Sequence, residues 1–183
     1  MANDREMVPL EEAKEQVGRV CRRLGLLHLA FARTLVDELG EEKGRQLILK
    51  AIKAYAAMIA EEVKRDVIAR GMDTTPQNYQ EDLPLYGMHD KLETVEVEGE
   101  PMVRAHGCVM AKVWREYGED RLGRLYCYVD PAKYMVFNPD FKLVHTRSIP
   151  DGDEYCELVV RPTTGPEKEK FARKDEDWSS VDK

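Results

Sequence analysis

The sequence has no G-x-S-x-G elbow, no P-loop, no dinucleotide glycine fingerprint and no H-E-x-x-H pair, so the standard hydrolase, kinase, dehydrogenase and metalloprotease readings have no motif support. Close cysteine pairs are missing as well. Cys21, Cys108, Cys127 and Cys156 are the only cysteines, and no two stand closer than 19 positions, so a zinc site of the usual C-x2-C spacing is excluded. Positive charge is in deficit: 28 Lys plus Arg face 35 Asp plus Glu, a net charge of -7, which argues against a nucleic-acid surface. No apolar run approaches the roughly 18 residues that span a bilayer. The opening residues "MANDREMVPLEEAKEQ" lack the basic stretch and apolar run of a secretory signal. A cytoplasmic protein with reduced thiols is expected, with neither nucleic acid nor membrane insertion among its interactions.

What is present is periodicity. At 183 residues the chain suits one α+β domain over 1–165, with a helical part at 10–70 and an α/β part at 92–162. From Leu10 to Leu39, Val17, Val20, Cys21, Leu24, Leu27, Phe31 and Leu35 step by three and four, the spacing of one helical face, whole or broken at Gly25. Gly40 stands where a C-terminal cap belongs, and a second pattern runs from Ile48 through Ile52, Tyr55, Ile59, Val63 and Val67 to a stop at Gly71. Two antiparallel helices are expected. Residues 72–91 hold prolines and glycines without either periodicity and predict a long loop. "ETVEVEGEPMVRAHGC" alternates around the turn "EGEP" and predicts a hairpin, "MAKVWREYGEDRLGRLYCYVD" returns to helical spacing, and "FKLVHTRSIP" with "YCELVVRP" predicts a second hairpin joined by "DGD". That order favours an antiparallel sheet of about four strands with helices on one face. Residues 166–183 mix both charges and read as a solvated tail, with Phe171 and Trp178 as groups that could dock.

The candidate chemistry gathers in the second half. Cys127 and Asp130 fall three positions apart, on one side of a helix that reaches both. A carboxylate beside a thiol raises the thiol's pKa, so Asp130 is the more plausible actor and Cys127 a poor thiolate. Asp130 precedes Pro131, which predicts a helix end or kink there, and a turn-capping role for Asp130 is the plain alternative. Cys156, in "YCELVV", reads as a small core hydrophobe. His106 and His145 lie on proposed strands and either could act near neutral pH. Arg147, two positions past His145, would share its face and could pair with an anionic ligand; an exposed salt bridge is the alternative. No motif calls for a metal or an organic cofactor.

The joint spacing of Cys108, "VWREYGEDRLGRLYC", "YCYVD" and "FNPDFKLVHTRSIPDGDEYCELVV" resembles the L-2-amino-thiazoline-4-carboxylic acid hydrolase family, with "LGEEKGRQLILKAIKAYA" and "DLPLYG" similar in style. The resemblance implies a hydrolase that opens a cyclic amidine in a small molecule, giving N-carbamoyl-cysteine from the thiazoline. Asp130 would then be the base, Cys127 or His145 the proton donor and Arg147 the anchor for the substrate carboxylate, with Cys108 and His106 as further substrate-binding candidates. The fold is similar in expectation to ligand-binding domains of the vinyl-4-reductase and TRAPP type. This similarity supplies the rival reading, a noncatalytic dimeric domain that cradles a small or apolar ligand, as well as the possible homodimer.

Overall fold

The computed structural model describes residues 7–79, 84, 86–173 and 176–182. Two long helices, α1 (Leu10–Leu39) and α2 (Glu41–Ala69), form an antiparallel hairpin closed at Gly40, whose φ of 80° lets the chain reverse in a single residue. A Cβ on Gly44 would sit 2.8 Å from Val36 Cα, so the hairpin closes only around a glycine. α1 is unbroken at Gly25. That residue lies under Trp114, whose Nε1 donates to the Gly25 carbonyl at 3.3 Å.

The first hairpin pairs β1 (Lys91–Val97) with β2 (Glu100–His106) through the two-residue turn Glu98–Gly99. Both turn residues have positive φ, at 53° and 82°, as the right-handed strand twist demands of so tight a loop. The second hairpin pairs β3 (Phe141–Arg147) with β4 (Tyr155–Pro162), and β2 pairs with β4, giving a four-stranded antiparallel sheet in the order β1-β2-β4-β3. The protein is therefore α+β, with its long helices N-terminal. The helical spacing read over residues 110–130 resolves into two short helices, α3 (Val109–Glu116) and α4 (Asp120–Cys127), and a third, α5 (Val129–Phe137), continues through residues 131–137, for which the spacing predicts no element. Pro131 enforces the break between the last two by sitting in the first turn of α5, where its missing N–H costs nothing.

α5 fits between α2 and β3. Tyr134 and Phe137 of α5 meet Ala60, Val63 and Val67 of α2 on one side and Phe141 and Leu143 of β3 on the other. The larger core joins α1, α2, α3 and α4 to Ala105 and Cys156 of the sheet around a fully buried Trp114. The opposite sheet face carries only the small cluster Met102, Val144 and Val159.

The expected 72–91 loop contains a short 3-10 turn at Pro76–Asn78, and residues 80–83 and 85 of it, including half of "DLPLYG", lie outside the described residues. Residues 1–6, at the head of the segment read for a signal, lie outside them too. The described residues of the segment expected as a solvated tail are instead packed on the domain, with Phe171 and Trp178 as two of its docking groups. α6 (Gly165–Ala172) is held by a capping box from Thr164 to Glu167, and Phe171, Trp178 and Val181 are buried in the main core. Three apolar side chains offset the ordering of an otherwise charged stretch, with Trp178 edge-on to Phe171 at 5.3 Å and to Tyr128 at 5.9 Å.

Candidate functional site

α5 begins with Asp130 in its first turn, and β3 runs alongside with His145 facing it. Asp130 Oδ2 lies 3.4 Å from His145 Nε2, and Asp130 Oδ1 lies 3.2 Å from Lys133 Nζ, one helical turn on. On the other side of the ring, Asp182 Oδ2 is 3.1 Å from His145 Nδ1 and accepts from Arg124 Nη2 at 2.6 Å. Arg124 Nε also donates to Asp151 at 2.7 Å. The result is a line of alternating charge drawn from α5, β3, the 176–182 segment and α4. Its interior is dry: the side chains of His145, Lys133 and Asp182 are 3%, 3% and 0% exposed, whereas Asp130 keeps 23%. Asp130 is where the His145 end of the line meets solvent, and Asp151, beyond Arg124, is exposed at the other end.

Charge states follow from the neighbours. Burial pushes the Asp130 carboxyl up, but Lys133 and His145 together outweigh it and hold the group well below the usual carboxylate range. Burial likewise opposes the His145 charge, yet its bonds to Asp130 and Asp182 raise the ring to about 9. At neutral pH the pair is carboxylate and imidazolium. Asp182 follows the logic of Asp130, lowered against its burial by His145 and Arg124.

Thiols surround the carboxylate end. Burial raises Cys127 far above an ordinary thiol; Arg124 opposes this, while Cys108, Cys156 and Asp130 add to it. The repulsion from Asp130 expected from the spacing is present but is smaller than burial. Cys108, at the head of α3, is raised by burial against the pull of the Ala111 and Met110 amides, and Cys156 reaches about 11 for want of solvent. Both Cys127 and Cys108 are half-buried and protonated at neutral pH. Cys156 is buried in the main core, where the Ile149 amide donates to its sulfur at 3.4 Å.

Among the sequence candidates, the structure brings together Asp130, His145, Cys127 and Cys108. Arg147 and His106 stand elsewhere. The sheet register shifts between His145 and Arg147, so the two-residue spacing no longer keeps them on one face. Arg147 is exposed with its guanidinium over the Tyr155 ring. His106 pairs with Glu93 at 3.0 Å on β1 and lies against the same tyrosine. Asp130 makes side-chain bonds to Lys133 and His145 rather than capping α5, which has no side-chain cap bond.

Four groups at the site were not singled out from the sequence. Lys133 follows Asp130 by one turn, a signal within reach. Arg124 and Asp182 become partners only through the tertiary fold. His89, with its pKa lowered by burial and opposed by Asp130 and Asp90, lines an open cleft of about 550 Å³ with Lys14, Tyr86 and Lys91. Among the described residues no group of three or more His, Cys, Asp or Glu side chains is arranged to hold a metal ion. None of their helices is long and apolar enough to cross a membrane.

Fold and site together define an α+β protein with a buried carboxylate–imidazolium line that opens to solvent at a thiol-flanked carboxylate. A family model described as L-2-amino-thiazoline-4-carboxylic acid hydrolase matches residues 20–160, and the chain belongs to that family. Comparison with curated proteins and with solved structures gave no significant match.

Proposed function

We propose that this protein hydrolyses a small cyclic amidine at the Asp130–His145 pair, with the thiazoline carboxylate of the family's name as the model substrate. The observation that carries the reading is the 3.4 Å contact between a partly exposed carboxylate and a buried imidazolium, inside the segment the family model covers.

Ring opening needs water to add to the carbon flanked by nitrogen and sulfur, a group to take the water's proton and another to protonate the leaving sulfur. Asp130 is the acceptor and His145 the acid. A carboxylate held so low is a weak base while its neighbour is cationic. As His145 Nε2 gives its proton to sulfur, Asp130 loses the charge that depressed it and its basicity rises, so the two transfers assist one another. The proton gained by Asp130 then returns to Nε2 across their direct contact. Water supplies the new carbonyl oxygen; its first proton replaces, through Asp130, the one His145 gave to sulfur, its second passes from the added hydroxyl to the ring nitrogen as the carbonyl forms and the carbon–sulfur bond breaks, and the side chains finish as they began.

Cys127 takes no part as a nucleophile in this scheme, because its thiol stays protonated in the free protein. Cys127 and Cys108 instead form the half-buried wall beside Asp130. The reaction liberates a thiol, which a colorimetric disulfide reagent counts above the protein's own four. Wild type should release thiol, and Asp130→Asn should lose on the order of 10²-fold or more of that rate. Equal rates for the two proteins would remove Asp130 from the mechanism. No release by either would move the substrate elsewhere, and native mass spectrometry would then ask what small molecule copurifies.

A further inference from the structure

β3 is an edge strand, so the His145 amide faces outward with no strand to receive it. Asp182 Oδ1 receives it, at 2.8 Å. The same carboxylate reaches the ring, with Oδ2 3.1 Å and Oδ1 3.3 Å from Nδ1, and it holds Arg124 through Oδ2. Three donors from two elements therefore converge on one fully buried carboxylate, which leaves it a single orientation. The segment that carries it is fastened at two points ahead of Asp182. Lys142 Nζ donates to the Val181 carbonyl at 2.6 Å and pairs with Glu167, while Trp178, 2% exposed, is wedged into the core. Asp182 lies outside the residues 20–160 that the family model matches.

We propose that Asp182 is a positioning residue for the reaction at the Asp130–His145 pair, its carboxylate locking the His145 ring with Nδ1 toward the 176–182 segment and Nε2 toward Asp130. The inference rests on the hydrolytic reading above. A ring turned over about its bond to the backbone would place carbon against Asp182 and take Nε2 away from Asp130. The carboxylate at Nδ1 penalises that arrangement and at the same time favours the protonated ring that the acid step requires. The charged groups around the ring are Asp130 and Lys133 from α5, Asp182 from the segment, and Arg124 of α4 behind Asp182. A tail anchor without this function would need only the amide bond and the Arg124 pair.

Asp182→Asn tests the distinction, since the amide has the same size and can still accept the His145 N–H but lacks the charge. The full chain is compared with wild type by NMR titration of the His145 imidazole, by thiol release from the thiazoline carboxylate and by tryptophan emission, which shifts to the red if Trp178 comes free. The expected result is an unshifted emission, a His145 midpoint lowered by roughly one pH unit or more, and a kcat reduced on the order of tenfold or more with KM within about threefold. Asp182→Glu, which keeps the charge one methylene further out, should recover part of the midpoint. A docked tail with an unmoved midpoint, or a lowered midpoint with unchanged kcat, would overturn the proposal. If Asp182→Asn does not fold, Asp182→Glu decides: a midpoint and a kcat both below wild type support positioning, and a wild-type value of either refutes it. If wild type releases no thiol at all, the hydrolytic reading fails, and the titration midpoint alone still upholds or overturns the locking of the ring.

Discussion

Stability should fall as pH rises from 6 to 8, because His145 carries its charge between two carboxylates in a buried setting. Its ring is raised to about 9, against about 6.5 for an unperturbed histidine, and the side chain is 3% exposed. A raised pKa means that the folded state holds the proton more tightly than the unfolded one. The contribution is therefore complete below about pH 6.5 and drains away as pH approaches 9. A shift of that size is worth about 3 kcal/mol at low pH, of which about 2 kcal/mol is lost between pH 6 and pH 8. The assay is urea unfolding of wild type and His145→Gln at pH 6, 7 and 8, with the difference between the two proteins taken at each pH. Subtraction removes other groups that titrate in the window, and stopping at pH 8 stays below the thiols. The carboxylates Asp130 and Asp182 have lowered values, so their own contribution is present above the normal carboxylate range and is lost only on strong acidification. A difference between the two proteins that stays flat across the window would show that His145 binds its proton no more tightly in the folded protein than in the unfolded one, a difference that grows with pH would show a ring buried neutral, and with either result the charge between two carboxylates on which the acid step is built would fall.

Other consequences can be read with the same methods. Gly123→Ala should destabilise the protein by about 3 kcal/mol in urea unfolding, because the new Cβ would sit 2.2 Å from the ring of fully buried Trp114; an unchanged midpoint would mean that the ring has room to move. The native cysteines should react with a disulfide reagent at pH 7.5 roughly tenfold or more slowly than in denaturant, since burial raises Cys21, Cys108, Cys127 and Cys156 alike; a fast thiol mapped to Cys127 by peptide mass spectrometry would contradict its assignment. Arg147→Ala should leave thiol release within about twofold of wild type, because its guanidinium lies on Tyr155, outside the site; a large rise in KM would restore it as a carboxylate anchor.

How much of this was legible beforehand depended on how local each feature is. The long helices, the two hairpins and the α+β class follow from spacings of two, three and four residues and from Gly40 and Gly99, which act within a few positions of themselves. The helix break expected at Asp130 from Pro131 falls instead at Tyr128, and Asp130 itself lies in the first turn of α5. Asp130 and Cys127 were visible as a pair because three residues of helix or turn keep them near each other wherever the chain goes. Arg147 failed as a neighbour of His145 because one register shift in the strand changed the face, and a shift is decided by how β3 pairs with β4 rather than by β3 alone.

The grouping of the candidate residues arises only in the folded chain. Asp130, His145, Asp182 and Arg124 come from four elements, and no spacing along the chain relates them. Charge states depend on the same assembly: Asp130 is low because Lys133 and His145 face it in a dry interior, and His145 is high because two carboxylates flank it. The 176–182 segment reads as charged and soluble when taken by itself, and it becomes core only because α6 and α4 present a socket for Trp178 and Arg124 presents a charge for Asp182. Helices and strands form where they do because their signals lie in neighbouring residues of the chain; which carboxylates surround which imidazole depends on the fold, because burial and charge act through space.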